Sequence, residues 1–300
     1  MARVRSLGYV VVETTDLSKW VDFATLLGLQ ISEQSEEHLL LRMDAKAYRF
    51  RIEKGETDRL TTYGWEVSGP AELEELTDRL TAAGYAVKQL GRAEARAREV
   101  TGLVTFDDPD GTVAIELFHG LQESLQPFVS PLGARFVTGT GGLGHAFQLV
   151  QDWEAYRALY FDILGFHLSD HIDADPEGNV ELTFLHCNPR HHSFAFAHIP
   201  GAPTAVGHLM LEVDDLDPVG RAYDEVLKGA APLLSTLGKH TNDKMVSFYV
   251  KSPSVFGVEY GTGGLQIDCE TWTPTRYHEA HYWGHERKKP VDVNDPADHG

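Results

Sequence analysis

The sequence predicts an α+β protein in which four βαβββ modules pair into two similar domains, each a curved mixed sheet enclosing a cavity with its helices outside. Three observations carry this. The stretch SLGYVVVETTDLSKWVDFATLLGLQISE, residues 6–33, repeats as GLGHAFQLVQDWEAYRALYFDILGFHLSD, residues 142–170. A second strand, helix and strand unit follows in each half, at 64–87 and again near 211–233. Short alternating apolar runs then fill the gaps, the pattern of half-buried strands. A repeat fixes architecture more firmly than propensity does. A module with one helix cannot cover its own sheet, so modules must pair.

Taken in order, residues 6–14 read as a strand, Asp16 as the cap of a helix whose stripe is Trp20, Val21, Ala24 and Leu27, and Gly28 as its stop. Strands are expected at 38–43, 47–53, 102–107 and 113–118. Residues 122–142 have Pro and Gly without periodicity and read as a linker. In the second half Asp152 caps a helix with the stripe Tyr156, Leu159, Tyr160 and Ile163, ended by Gly165. Strands follow at 180–186, 192–198 and 245–251. The domain boundaries expected are 1–130, 131–290 and a tail at 291–300.

Composition narrows the function. Lys and Arg number 26 against 45 Asp and Glu, a formal charge of −19 that repels nucleic acid and anionic membranes alike. Apolar runs stay far below the roughly 20 residues that span a bilayer, and the N-terminus lacks a signal-peptide core, so a cytoplasmic protein is expected. Cys187 and Cys269 lack CxxC spacing and imply a reduced compartment. Fifteen histidines are the compositional hint of metal chemistry.

Comparing the two copies sharpens that hint. Tyr9 stands where the second half has His145, Thr62 where it has His208, and Glu116 where it has Glu259. A scaffold that needed the histidines for packing would want them twice, so a single metal site in the second half is expected. Strand parity lets His145, His208 and Glu259 face one cavity. Two imidazoles and a carboxylate match the facial triad of non-haem Fe(II) oxygenases. Catalytic zinc uses the same ligands, so the triad alone does not name the metal. No HExxH is present, which argues against a zinc protease. His278, His281 and His285 mimic a metal spacing on a helix and are read as surface residues, and His186 and His191 as structural or as supports behind the metal-facing residues.

The segments FVTGTGGLGH (136–145), FLHCNPRHHSFAF (184–196), GHLMLEV (207–213), LGKHTNDKMVSFY (237–249) and VEYG (258–261) carry a resemblance that spans nearly the whole chain. The chain resembles the type I extradiol ring-cleaving dioxygenases of the vicinal oxygen chelate superfamily, in the class of 2,3-dihydroxybiphenyl 1,2-dioxygenase and the steroid catechol dioxygenases. The resemblance implies Fe(II) held by His145, His208 and Glu259, with Mn(II) accepting the same set. It implies His192 as the acid/base beside O2, His240 and Tyr249 as partners of the catechol oxygens, and Asn242 and Asp243 in the loop between them. Phe147, Phe184, Phe194 and Met210 read as either core or substrate wall, and Phe147 and Phe184 are taken as walls for a hydrophobic catechol, biphenyl-like or, as the alternative, steroidal. A glyoxalase-like isomerase or other non-oxygenase on the same scaffold is disfavoured by the presence of His192, His240 and Tyr249. Members tend to form homo-oligomers, often octamers. One departure stands out: the family signature expects Gly or Pro two residues after Pro253, and Val255 is there instead.

Overall fold

The protein is represented by a computed structural model that describes residues 2–174 and 180–287. The tail expected at 291–300 and residues 175–179 lie outside the described residues. The first half supplies β1 (Ser6–Thr14), α1 (Leu17–Leu27), β2 (Gln30–Gln34), β3 (His38–Arg42), β4 (Phe50–Lys54), β5 (Arg59–Glu66), α2 (Pro70–Ala82), β6 (Lys88–Gln89), α3 (Arg92–Ala97), β7 (Gly102–Asp107) and β8 (Ala114–His119). These strands form one mixed sheet in the order β2-β3-β4-β1-β5-β8-β7-β6. The two modules therefore meet at the antiparallel pair β1 and β5.

The second half repeats the plan with β9 (His145–Leu149), α4 (Trp153–Arg157), β10 (His167–Asp173), β11 (Glu181–His186), β12 (Phe194–Ala197), β13 (Ala205–Val213), α5 (Leu216–Leu227), β14 (Leu233–His240), β15 (Val246–Lys251), β16 (Gly257–Thr262), β17 (Thr275–Tyr277) and β18 (His281–Trp283). Its sheet runs β17-β10-β11-β12-β9-β13-β16-β15-β14-β18, with the modules joined at β9 and β13. Among the described residues no helix is long and apolar enough to cross a membrane.

Asp16 and Asp152 do cap their helices, accepting from Ser18 N and Ala155 N, and Gly28 ends α1 at φ 75°. The second helix differs from its expectation. It is α-helical only through Arg157, and residues Ala158–Ile163 continue it with a wider π-helical turn. The strand expected at 47–53 begins at Phe50; just before it, Arg49 donates to the Gly8 carbonyl at 2.8 Å and pairs with Asp44 at 2.6 Å. The short helix α3 and the edge strands β6, β17 and β18 were not legible in the periodicity, being too short to show one.

One hydrophobic core joins the halves. Trp65 meets Tyr160, Phe166 and Phe194 edge-on, and the Trp20 indole donates to Ser254 Oγ at 3.0 Å. The inner side of the first sheet is filled by Tyr9, Leu40, Tyr48, Leu103 and Phe118 together with Ala95 from α3. The inner side of the second sheet surrounds an open cavity of about 810 Å³.

Candidate metal centre

Three neighbouring strands, β9, β13 and β16, set the floor of that cavity. His145 pairs across with Met210, and Met210 with Glu259. His208 lies two residues from Met210, on the side reached by the strand alternation. Gly144, at φ 155°, lets β9 approach β13 just before His145, since any Cβ there would lie 1.8 Å from the Met210 carbonyl oxygen. The ligand atoms converge: His145 Nε2 is 3.2 Å from His208 Nε2 and 3.3 Å from Glu259 Oε2, and His208 Nε2 is 3.5 Å from the same oxygen. Donor atoms that each sit about 2.1 Å from one ion, at angles between square and tetrahedral, stand about 3.0–3.5 Å apart. The three side chains could hold a metal ion.

The charge states suit that use. Enclosure pushes His208 down to about 3 against the opposing pull of Glu259, and burial with His145 alongside holds His192 well below the usual imidazole range. Neutral imidazoles are the ligating form. Burial favours a protonated Glu259, but hydrogen bonds from His145 and His240 outweigh it and keep the carboxylate charged. His145 Nδ1 is buried without a hydrogen-bond partner.

Around this triangle the other expected residues gather. The His240 Nε2 lies 3.2 Å from Glu259 Oε1 and 2.8 Å from the Tyr249 hydroxyl, and its Nδ1 faces the Ala280 carbonyl at 3.1 Å. Burial opposes a charge on His240, but Glu259 more than offsets it and raises the imidazole to about 9. The His192 ring packs 3.9 Å from that of His145, between it and Phe184. Phe147 stacks on His208 at 5.3 Å, and Phe147 and Phe184 line the cavity with Ile172 and Leu182. Asn242 Nδ2 is buried, lines the cavity and has no partner, whereas Asp243 accepts from Met245 N and so also shapes its turn. All ten residues picked from the sequence thus border one cavity.

The sequence reading of His278, His281 and His285 needs correction. Their segment is β18 and its flanks, not a helix, and His285 is only 8% exposed, with its ring 4.2 Å from that of His240. Burial pushes His285 down to about 4. His278 and His281 stay exposed at the cavity rim. Two contributors escaped the sequence reading altogether. Ser247 donates to Glu259 Oε1 at 2.6 Å, and its strand parity with Tyr249 could have disclosed it. Asp170, fully buried and 2.6 Å from His191, carried no local signal.

The family model Glyoxalase/Bleomycin resistance protein/Dioxygenase superfamily matches residues 142–260, and the model Dihydroxybiphenyl dioxygenase BphC D1 matches residues 7–55. An iron-dependent extradiol dioxygenase of Rhodococcus jostii is 40% identical over 293 residues, covering 94% of this chain and 97% of its own. A biphenyl-2,3-diol 1,2-dioxygenase of Metapseudomonas furukawaii is 42% identical over 287 residues, covering 94% and 93%. The crystal structure of BphC, a halotolerant catechol dioxygenase, superposes with a TM-score of 0.90 at 36% identity, covering 96% of both chains.

Proposed function

Since the chain belongs to the extradiol dioxygenases of the Glyoxalase/Bleomycin resistance protein/Dioxygenase superfamily, we propose that its cavity cleaves dihydroxybiphenyl-like catechols beside the diol, with both atoms of O2 entering the product, and that iron is its metal. The observation that carries the assignment of the centre is the triangle of His145, His208 and Glu259, whose ligand atoms lie 3.2–3.5 Å apart at the base of a cavity of about 810 Å³. Fe(II) is the proposed ion, and Mn(II) suits the same donors. The proposed division is a first domain to residue 130 without metal and a second from 131 with the site. Small molecules, a catechol and O2, are the partners this reading requires.

A divalent iron held there would act as a Lewis acid toward the diol and give electrons a route from the ring to O2. The remaining work falls to the protein. His240, charged and 2.8 Å from Tyr249, can donate to a diol oxygen while the Tyr249 hydroxyl reorients to the other. Asn242 Nδ2, otherwise unpartnered, is a donor available to a polar substituent. The neutral His192 can hold and return a proton at the far side of the centre. Phe147, Phe184, Ile172 and Leu182 pack on the apolar part of a ring and exclude water from it.

Anaerobic loading with Fe(II), followed by 2,3-dihydroxybiphenyl in air, tests the proposal. Yellow product with matching O2 uptake is expected. No uptake with that diol, with simpler catechols or with steroidal ones, at stoichiometric iron, would reject it.

A further inference from the structure

Behind the cavity wall lies a buried chain of hydrogen-bonding groups that ends on His192. The backbone N–H of Thr275, on β17, donates to Asp170 Oδ1 at 2.7 Å. Asp170 Oδ2 lies 2.6 Å from His191 Nε2, and His191 Nδ1 lies 3.1 Å from His192 Nδ1. Asp170, His191 and His192 are 0%, 1% and 3% exposed. Trp272 closes the chain from outside, its indole donating to the Ser169 carbonyl at 2.8 Å and its ring meeting His191 edge-on.

The donor and acceptor order of this chain follows from its ends. A backbone amide can only donate, so Asp170 Oδ1 is occupied as an acceptor. A carboxylate can only accept, so His191 must carry its hydrogen on Nε2. A neutral His191 then offers a bare Nδ1, and the hydrogen between the two rings belongs to His192 Nδ1. A charged His191 would reverse that last bond, but it would set a cation beside a ring that packs 3.9 Å from a ligand of the proposed dication. From this order we infer that Asp170 is a positioning residue which, through His191, fixes His192 with its hydrogen on Nδ1 and a bare, basic Nε2 for the cavity that the ring lines. A bare Nε2 can take a proton from the cavity and give it back, and the imidazolium formed in between stays hydrogen-bonded toward the Asp170 carboxylate. An Nε2–H could only donate. The consequence for rate rests on the extradiol reading above, and the neutral state of His191 on the dication proposed there.

Substitution of Asp170 by Asn gives a directed test, because the Thr275 amide still claims the oxygen and turns the new NH2 toward His191. His191 Nε2 would then have to accept, His191 Nδ1 to donate, and His192 to carry its hydrogen on Nε2. Neutron diffraction from deuterium-exchanged, anaerobic crystals of the iron-loaded full chain reads this directly. Deuterium is expected on His192 Nδ1 in the wild type and on Nε2 in Asp170→Asn. The variant should keep its iron content and KM for 2,3-dihydroxybiphenyl while kcat falls about a hundredfold or more, the contribution of a positioned acid/base. Deuterium on Nε2 in the wild type overturns the inference whether or not the variant folds. An Asp170→Asn enzyme with unchanged hydrogen order, or with full kcat, overturns it as well. A wild type that turns over no catechol but carries deuterium on Nδ1 rejects the extradiol reading and supports the inference.

Discussion

Replacing Ser247 by Ala should weaken iron binding by about ten- to a hundredfold, with little change in turnover per bound iron. The Ser247 hydroxyl donates to Glu259 Oε1 at 2.6 Å, and both side chains are buried, at 0% and 1% exposure. That bond decides which carboxylate oxygen faces the histidines, since Oε2 is the one 3.3 Å from His145 Nε2. A hydrogen bond to a buried charge is worth about 1.5–3 kcal/mol, and each 1.4 kcal/mol is about tenfold in affinity. The loss stays below the top of that range because His240 Nε2 still holds Oε1 at 3.2 Å. Anaerobic titration against a competing chelator measures the change, and kcat divided by bound iron separates affinity from chemistry. A Kd for iron within about twofold of the wild type would refute the reasoning. So would a kcat per iron that falls as far as the affinity, which would put Ser247 in the chemistry.

Further outcomes follow from other parts of the chain. Val255 sits at φ 77° and is 59% exposed, a left-handed conformation that strains a β-branched residue, so Val255→Gly should raise stability to denaturant by about 1 kcal/mol at unchanged iron affinity. Tyr9→Phe should cost about 1–3 kcal/mol in the same unfolding assay and leave iron binding intact, because it removes only the 2.5 Å bond to the buried Glu116 of the first half. Burial would raise the Asp44 carboxyl, but the Arg49 guanidinium overcomes it and the net shift is downward. A depressed carboxyl stabilises the fold above its unfolded pKa of about 3.9 and loses that contribution as pH falls through the folded value. Acid unfolding followed by circular dichroism should therefore be steeper below about pH 4 for the wild type than for Asp44→Asn, and equal slopes would contradict this.

How far the sequence could be read depended on the range of the signal. The repeat, the caps at Asp16 and Asp152 and the parity of His145, His208, Glu259 and Tyr249 are local or periodic, and they disclosed the modules and the cavity-facing set. The π-helical turn at Ala158–Ile163 keeps nearly the same apolar spacing as an α-helix, so periodicity could not separate the two. His285 was misread because its burial depends on β18 pairing with β14, a contact made across some forty residues without any pattern of its own. Asp170 was invisible for the same reason: its partners, His191 and Thr275, come from two distant segments.

The two halves also explain why one cavity is open and the other is not. The strand registers are the same: Tyr9 pairs with Gly64 and Gly64 with Glu116, just as His145 pairs with Met210 and Met210 with Glu259. Each half therefore carries a glutamate at the same place on its floor, and what differs is how the carboxylate is satisfied. In the first half the Tyr9 hydroxyl donates to Glu116, the Arg98 guanidinium pairs with it at 3.2 Å, and Phe118 stacks on Tyr9. That carboxylate already has its cation. Glu259 has the charged His240 3.2 Å from its Oε1, while its Oε2 faces the His145 and His208 imidazoles, an arrangement that a dication from outside would complete. Arg98 comes from the turn after α3, and α3 also fills the space that the second half leaves as a cavity. Removing Arg98 would thus unbalance Glu116 without creating a metal site, since Tyr9 and Thr62 supply no nitrogen where His145 and His208 do. The proposed metal site needs an open space and two imidazoles beside the carboxylate, and among the described residues the second half combines them.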